Sequence, residues 1–340
     1  RSLITSGDLA TIRDAGIRGL TSNPTIFQKA IQGSADYDEQ FRSLISADNS
    51  IIDCYWAMVL QDIHGALDVF ESVYTNSNGG DGFVSVEVDP NLAHDHSATL
   101  LAGQHLWETV SRPHLMIKIP ATVPCLESVQ AMIAAGRNVN VTLIFSLERY
   151  SEVIDAFIAG MGQAKNAGLD LASIHSVASF FISRIDSAVD KELKAVGNSD
   201  LLGKVAVANA HRAYALFLEK FNEPLWKTLE ENGALVQRPL WASTGVKDPA
   251  YADTLYVDTL VAPHTVNTMP QSTLDAFLDH GSVKSDAITA QMESASQTLA
   301  ALSALGISLE AITDALEADG VKKFEDAWIS LLADVQNVMA

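Results

Sequence analysis

Several strand-length runs in this chain carry one apolar face and one polar face, and that asymmetry limits what it can fold into. In 83–89, Val84, Val86 and Val88 alternate with Ser85, Glu87 and Asp89; in 115–119, Leu115, Ile117 and Ile119 alternate with Met116 and Lys118. In 138–145, Val139, Val141, Leu143 and Phe145 alternate with Asn138, Asn140 and Thr142, and in 238–244 Leu240 and Ala242 alternate with Trp241 and Ser243. Successive strand residues point to opposite sides. Further strand candidates are 17–21, 174–181 and 256–263, and stretches of helical period separate the strands at 51–74, 97–111, 124–136, 147–160, 183–195 and 204–231. Strands alternating with helices predict a parallel sheet with crossover connections. An open sheet covered on both faces needs inner strands that are apolar on both, whereas a barrel turns its apolar face to the helices and lines its interior with the other. The expectation is an α/β fold, a (β/α)8 TIM barrel with one strand not located and with extra helices. The tail reads as helical over about 284–340, in pieces 284–305, 308–318 and 321–338, the last two divided by Gly320. No Pro/Gly/Ser-rich linker interrupts the pattern, so residues 1–340 are read as a single domain.

Charge and cysteine usage narrow the function. A formal net charge of −20 argues against a nucleic-acid surface, which needs stripes of Lys and Arg. No apolar run approaches the roughly 18 residues of a membrane span, and no leader pattern is evident. Cys54 and Cys125 give neither a disulfide framework nor zinc spacing, so a reducing cytoplasm is the expected compartment. The "HDH" at 94–96 falls at a predicted helix start with no matching cluster elsewhere and reads as solvated surface; "GGDG" at 79–82 reads as a turn before a strand. No metal and no cofactor is expected. A small anionic partner remains compatible, provided a few basic groups are placed for it.

On the barrel reading the inward set is Glu87, Lys118, Asn140, Thr142 and Ser243, with Ser179 on the next strand. These lie in the middle or C-terminal halves of their strands, where barrel enzymes hold their chemistry. A lysine and a carboxylate among amides and hydroxyls suggest covalent amine catalysis. Burial in low dielectric favours a free amine, which attacks a carbonyl, while Glu87 and a water held by Thr142 move the protons. A structural ion pair between Lys118 and Glu87 is the plain alternative. In "TSNPTIF", Asn23 and Pro24 suit a helix cap and first turn, which the pattern favours, although Asn23 at a barrel mouth would also suit a substrate hydroxyl. Arg184 and the pair Ser243 and Lys247 follow consecutive strands, where barrels often bind phosphate.

The series "GIRGLTSNPTIFQKAI", "VSVEVDP", "MIKIPAT", "NVNVTLIFS", "SFFISR" and "RPLWASTGVKDPAY" resembles transaldolases over almost the whole chain, and the "GVKKFEDAW" segment resembles the longer bacterial type. The resemblance implies a class I Schiff-base barrel of the pentose phosphate pathway. Such enzymes move a dihydroxyacetone unit from sedoheptulose 7-phosphate to glyceraldehyde 3-phosphate, giving erythrose 4-phosphate and fructose 6-phosphate without metal or cofactor. Matched by motif, Lys118 is the Schiff-base lysine and Glu87 with Thr142 positions the catalytic water. Asn23 and Asn140 are substrate contacts with Ser179 beside them, and Arg184 and Ser243 bind phosphate. Many members carry an arginine where this chain has Gly245, so Lys247 is expected to supply that charge. The family's first strand carries an acid/base aspartate in an "LDDLSR"-like segment. This chain begins at Arg1, where that segment would end, so the first strand is expected to precede the residues given and no residue is assigned that role. A related aldolase releasing free dihydroxyacetone and a non-catalytic sugar-phosphate-binding barrel are the alternatives. Oligomeric state is not readable from the sequence.

Overall fold

The computed structural model describes all residues except Gly33, Asp48 and Ala340, together with the side chains of Asp334 and residues 337–339. Seven parallel strands pair in chain order: β1 (Leu20–Thr21), β2 (Val84–Glu87), β3 (Leu115–Pro120), β4 (Val139–Ile144), β5 (Ser176–Phe181), β6 (Arg238–Ala242) and β7 (Val266–Asn267). The sheet curls into a barrel. Leu20 of β1 and Val266 of β7 line the same interior cavity of about 130 Å³ as Ser85, Met116, Asn140 and Leu240 from strands between them. Across the barrel base, Arg238 at the start of β6 reaches Asp81, in the turn before β2, at 3.0 Å. Among the described residues β1 and β7 are not hydrogen-bonded to each other. The fold is therefore α/β and TIM-barrel-like, with helices outside the sheet.

Most crossover helices fall where the apolar period puts them, including Ile51–Asn76, His96–Val110, Val123–Ala134, Leu147–Asn166 and Ser183–Ala195. Their packing is close. A side chain at Gly160 would stand 2.7 Å from the Gln130 carbonyl oxygen and 2.8 Å from Ile133 Cβ, so only hydrogen lets these two helices meet there. No single described helix is long and apolar enough to cross a membrane; one pair passes that test only when joined across a 93° bend.

Four expectations need correction. Residues 256–263 are not a strand: Leu255–Asp258 is a helical turn, and the seventh strand lies later, at Val266–Asn267. The apolar residues there pack into the core from a helical turn instead, since Tyr256, Val257 and Leu260 are all buried. The stretch 204–231 is two helices, Val205–Lys220 and Pro224–Glu230, with Pro224 opening the second. The tail holds two α-helices among the described residues, Met292–Ala304 and Leu309–Met339; the second runs through Gly320 without a break, and most of 284–291 is not α-helical. Gly320 marks a close approach instead of a break, because a Cβ there would lie 3.0 Å from Leu143 Cδ2. Finally, parity fails on β6: Leu240 faces the interior cavity, whereas Trp241 points outward, packs on Phe180 and donates its Nε1–H to the Leu260 carbonyl at 2.8 Å.

The turn containing Tyr256 is anchored to the Ser183–Ala195 helix. Asp186 accepts from the Tyr256 hydroxyl at 2.7 Å and from the Ala206 N–H at 2.8 Å. Burial pushes the Asp186 carboxyl up to about 6, only partly opposed by those hydrogen bonds. A folded-state value above the unfolded 3.8 means a stabilising contribution that is full below 3.8 and lost as pH rises through about 6. Urea denaturation of wild type against Asp186→Asn should show the wild type losing ground between about pH 4 and 6, by no more than ~3 kcal/mol. A pH-independent difference would contradict this.

Candidate active site

Strand register builds the site. Glu87 on β2 pairs with Lys118 on β3, and Lys118 pairs with Asn140 on β4, so three inward polar side chains stand side by side in one layer. Lys118 Nζ donates to Glu87 Oε2 at 3.0 Å and to the Ser22 carbonyl, just past β1, at 3.2 Å. Both side chains are about 95% excluded from water. Burial raises the Glu87 carboxyl above the usual carboxylate range, and the neighbouring Lys118 charge pulls it back down.

The next partners fix the amide. Asn140 Nδ2 donates to Ser85 Oγ at 3.0 Å, and the Ser179 hydroxyl donates to Asn140 Oδ1 at 2.7 Å, a line of contacts from β2 through β4 to β5. One N–H and one lone-pair direction of the amide are left for a ligand. One layer above, Thr142 is fully buried and its hydroxyl has no partner among the described residues. Immediately after it the β4–β5 register shifts and Leu143 takes φ 62°, a left-handed conformation uncommon for a branched residue. This bulge turns Leu143 and Phe145, expected on the outer face, towards the mouth, where both lie beside Gly320.

The anion candidates gather at the N-terminus of the Ser183–Ala195 helix. Ser243, just beyond β6, has φ 57° and brings its hydroxyl to 3.0 Å from Ser183 Oγ. Arg184, in the first turn, stacks 5.4 Å above the Phe181 ring, and its buried Nη1 has no partner among the described residues. Burial lowers the Arg184 pKa, with Asp319 acting in the opposite sense. A helix N-terminus with a guanidinium and two hydroxyls is suited to a phosphate. Lys247 is exposed on the loop beyond and has no hydrogen bond or ion pair among the described residues. Asn23 acts as a cap: its Oδ1 accepts from the Ile26 N–H at 2.8 Å, which leaves its amide nitrogen and one lone-pair direction for a ligand.

Sequence reasoning missed several contributors. Ser85 shares strand parity with Glu87 and was findable by the same rule. The Ser22 carbonyl was not, since a main-chain acceptor carries no residue signal. Nor was Phe324, from the last helix, whose ring centre lies 5.4 Å from Lys118 Nζ. "HDH" is accounted for locally: Asp95 caps the His96–Val110 helix through the Ala98 N–H at 3.0 Å, and His96 Nδ1 lies 2.9 Å from Ser128 Oγ.

A family model described as "Transaldolase/Fructose-6-phosphate aldolase" matches residues 2–335. Among curated proteins, the chain is 51% identical to "Transaldolase" of Saccharopolyspora erythraea, over 99% of this chain and 92% of that protein. It is 50% identical to "Transaldolase" of Acidothermus cellulolyticus, over 98% of this chain and 91% of that protein. Identity to "Transaldolase" of Thermobifida fusca is 49%, over 100% of this chain and 94% of that protein.

The Lys118 charge is what opposes burial at Glu87. In Lys118→Ala the Glu87 carboxyl should therefore titrate higher than in the wild type. Infrared difference spectra of the protonated carboxyl band, with Glu87→Gln to assign it, measure the change. A band whose midpoint does not move, or moves down, would contradict the pairing.

Proposed function

The chain belongs to the transaldolase/fructose-6-phosphate aldolase family, and on that premise we propose that it is a transaldolase carrying a dihydroxyacetone unit between sugar phosphates on Lys118. The free amine attacks the C2 carbonyl of the donor ketose, and loss of water gives an iminium. Its electron demand lets the C3–C4 bond break, the departing carbons leave as an aldehyde, and an enamine stays on the lysine. The enamine carbon adds to the acceptor aldehyde, and water then hydrolyses the new iminium to free the product and the amine. Sedoheptulose 7-phosphate and glyceraldehyde 3-phosphate are the proposed donor and acceptor, with erythrose 4-phosphate and fructose 6-phosphate as products.

Glu87, 3.0 Å from the amine, is the group in this reading that shuttles protons as water leaves and returns. The Thr142 hydroxyl holds that water. Asn140, with Ser179 orienting it, and the Asn23 amide nitrogen meet the sugar hydroxyls. Arg184 and Ser243 hold the phosphate, with Lys247 as a further charge. The proton leaving the C4 hydroxyl is assigned to no side chain of this chain. The observation that carries the reading is the buried Lys118–Glu87 pair beside a buried hydroxyl with no partner among the described residues. A cytoplasmic location belongs to the same reading, supported by two unpaired cysteines, Cys54 and Cys125.

Borohydride reduction in the presence of fructose 6-phosphate should leave a covalent three-carbon adduct on Lys118, read by peptide mass spectrometry. An adduct on another residue, or none, would sink the proposal. Thr142→Val keeps the side chain's shape and removes a hydroxyl that has no partner among the described residues, so its unfolding free energy should stay within about 1 kcal/mol of wild type. Its turnover should drop by roughly 10²-fold or more if the hydroxyl holds the proton-carrying water. Unchanged turnover would remove Thr142 from the mechanism.

A further inference from the structure

The last helix, Leu309–Met339, crosses the C-terminal mouth of the barrel. Arg149, at the start of the helix after β4, pairs with Glu317 at 3.1 Å. On the opposite side Gln28, in the Pro24–Ile31 helix after β1, donates to Ser330 Oγ at 2.8 Å. Between these anchors Gly320, Phe324 and Trp328 recur every four residues and so share one face. Gly320 lets the backbone settle on Leu143, and Trp328 locks edge-on against Tyr55 with ring centres 4.5 Å apart. Phe324, the residue between them, is 4% exposed, and its ring lies over the Lys118 amine. Glu87 and the Ser22 carbonyl occupy the polar directions around that nitrogen. The mouth side is closed by an apolar ring.

We propose that Phe324 is a specificity-determining residue: its ring keeps bulk solvent from the enamine on Lys118, leaving only the water held at Thr142, so the three-carbon unit waits for an acceptor aldehyde. The inference rests on the function proposed above. The competing reaction is balanced. The enamine carbon takes a proton in place of the one given up by the C4 hydroxyl, the resulting iminium adds water, and the C–N bond breaks to give dihydroxyacetone and the free amine. That water replaces the one lost when the imine formed, so fructose 6-phosphate simply splits into dihydroxyacetone and glyceraldehyde 3-phosphate. An apolar cover suppresses the protonation and leaves addition to an aldehyde unaffected.

The test compares two rates in the full chain: dihydroxyacetone released from fructose 6-phosphate alone, and sedoheptulose 7-phosphate formed when erythrose 4-phosphate is added. Phe324→Ala should raise the release-to-transfer ratio at least tenfold, with deuterium from heavy water on the carbon of the released dihydroxyacetone. Phe324→Leu, which keeps apolar bulk, should return the ratio most of the way to wild type. If the alanine variant does not fold, Phe324→Val serves, with a smaller rise expected. A ratio unmoved in a folded variant, or release and transfer falling together, would overturn the inference. Borohydride trapping on the unaltered protein separates the two levels: no Lys118 adduct defeats the proposed function itself, whereas an adduct with an unmoved ratio defeats only the role of Phe324.

Discussion

A lysine and a glutamate lie 3.0 Å apart inside the barrel, and this contact ties the rest of the interior together. Removing two charges from water costs several kcal/mol per ion, repaid only when geometry is good and the remaining protons find acceptors. Here the strand register provides the geometry. Glu87 and Lys118 are direct partners across β2 and β3, and the Ser22 carbonyl beside β1 accepts a second ammonium proton. A slip of one residue in either strand would turn one charge into the apolar helix layer and leave the other unpaired. The pair thus enforces the register that brings Asn140 and Thr142 into line with it. Under the proposed function, the lysine that the chemistry needs in the interior also acts as a folding constraint.

Parity made much of this legible. On β2, β3 and the first half of β4, alternation separated the helix-facing apolar residues from Ser85, Glu87, Met116, Lys118 and Asn140, all of which face inward. It failed where other forces decide direction. On β6 the indole of Trp241 packs on Phe180 and finds a carbonyl partner outside, so Leu240 takes the inner place. On β4 the bulge after Thr142 resets the phase, and no residue in that run signals it, since Leu143 is neither Gly nor Asn. Gly320 looked like a helix stop because the sequence alone does not contain the distance to Leu143. Local period is written in the chain; contacts between distant segments are not.

Two of the five described non-glycine residues with left-handed φ lie at the mouth. Leu143 and Ser243 both adopt left-handed φ at the C-terminal ends of strands, each adjacent to a group assigned to ligand handling. Such conformations cost of order 1–3 kcal/mol and persist where surrounding packing fixes them. The last helix contributes to that packing: a Cβ at Gly320 would lie 3.0 Å from Leu143 Cδ2, 3.6 Å from Phe145 and 3.7 Å from Arg184 Nη1.

The pattern of satisfied and unsatisfied groups gives the interior its direction. Lys118, Glu87, Asn140 and Ser179 are all paired with protein atoms, as buried polar groups ordinarily are. Thr142 Oγ1 and Arg184 Nη1 have no partner among the described residues. Unpartnered buried atoms also occur on Thr21, Gln40, His114, Arg137, Tyr150, Trp226 and Gln237, so it is position that sets Thr142 and Arg184 apart: Thr142 follows Asn140 on β4, and Arg184 opens the helix beside Ser243. Leaving either bare in a closed interior is costly unless something else arrives. A water at Thr142 and an anion at Arg184 would meet both needs. The protein is then most stable with the site filled, so the free energy left unspent on internal hydrogen bonds is available for holding substrate.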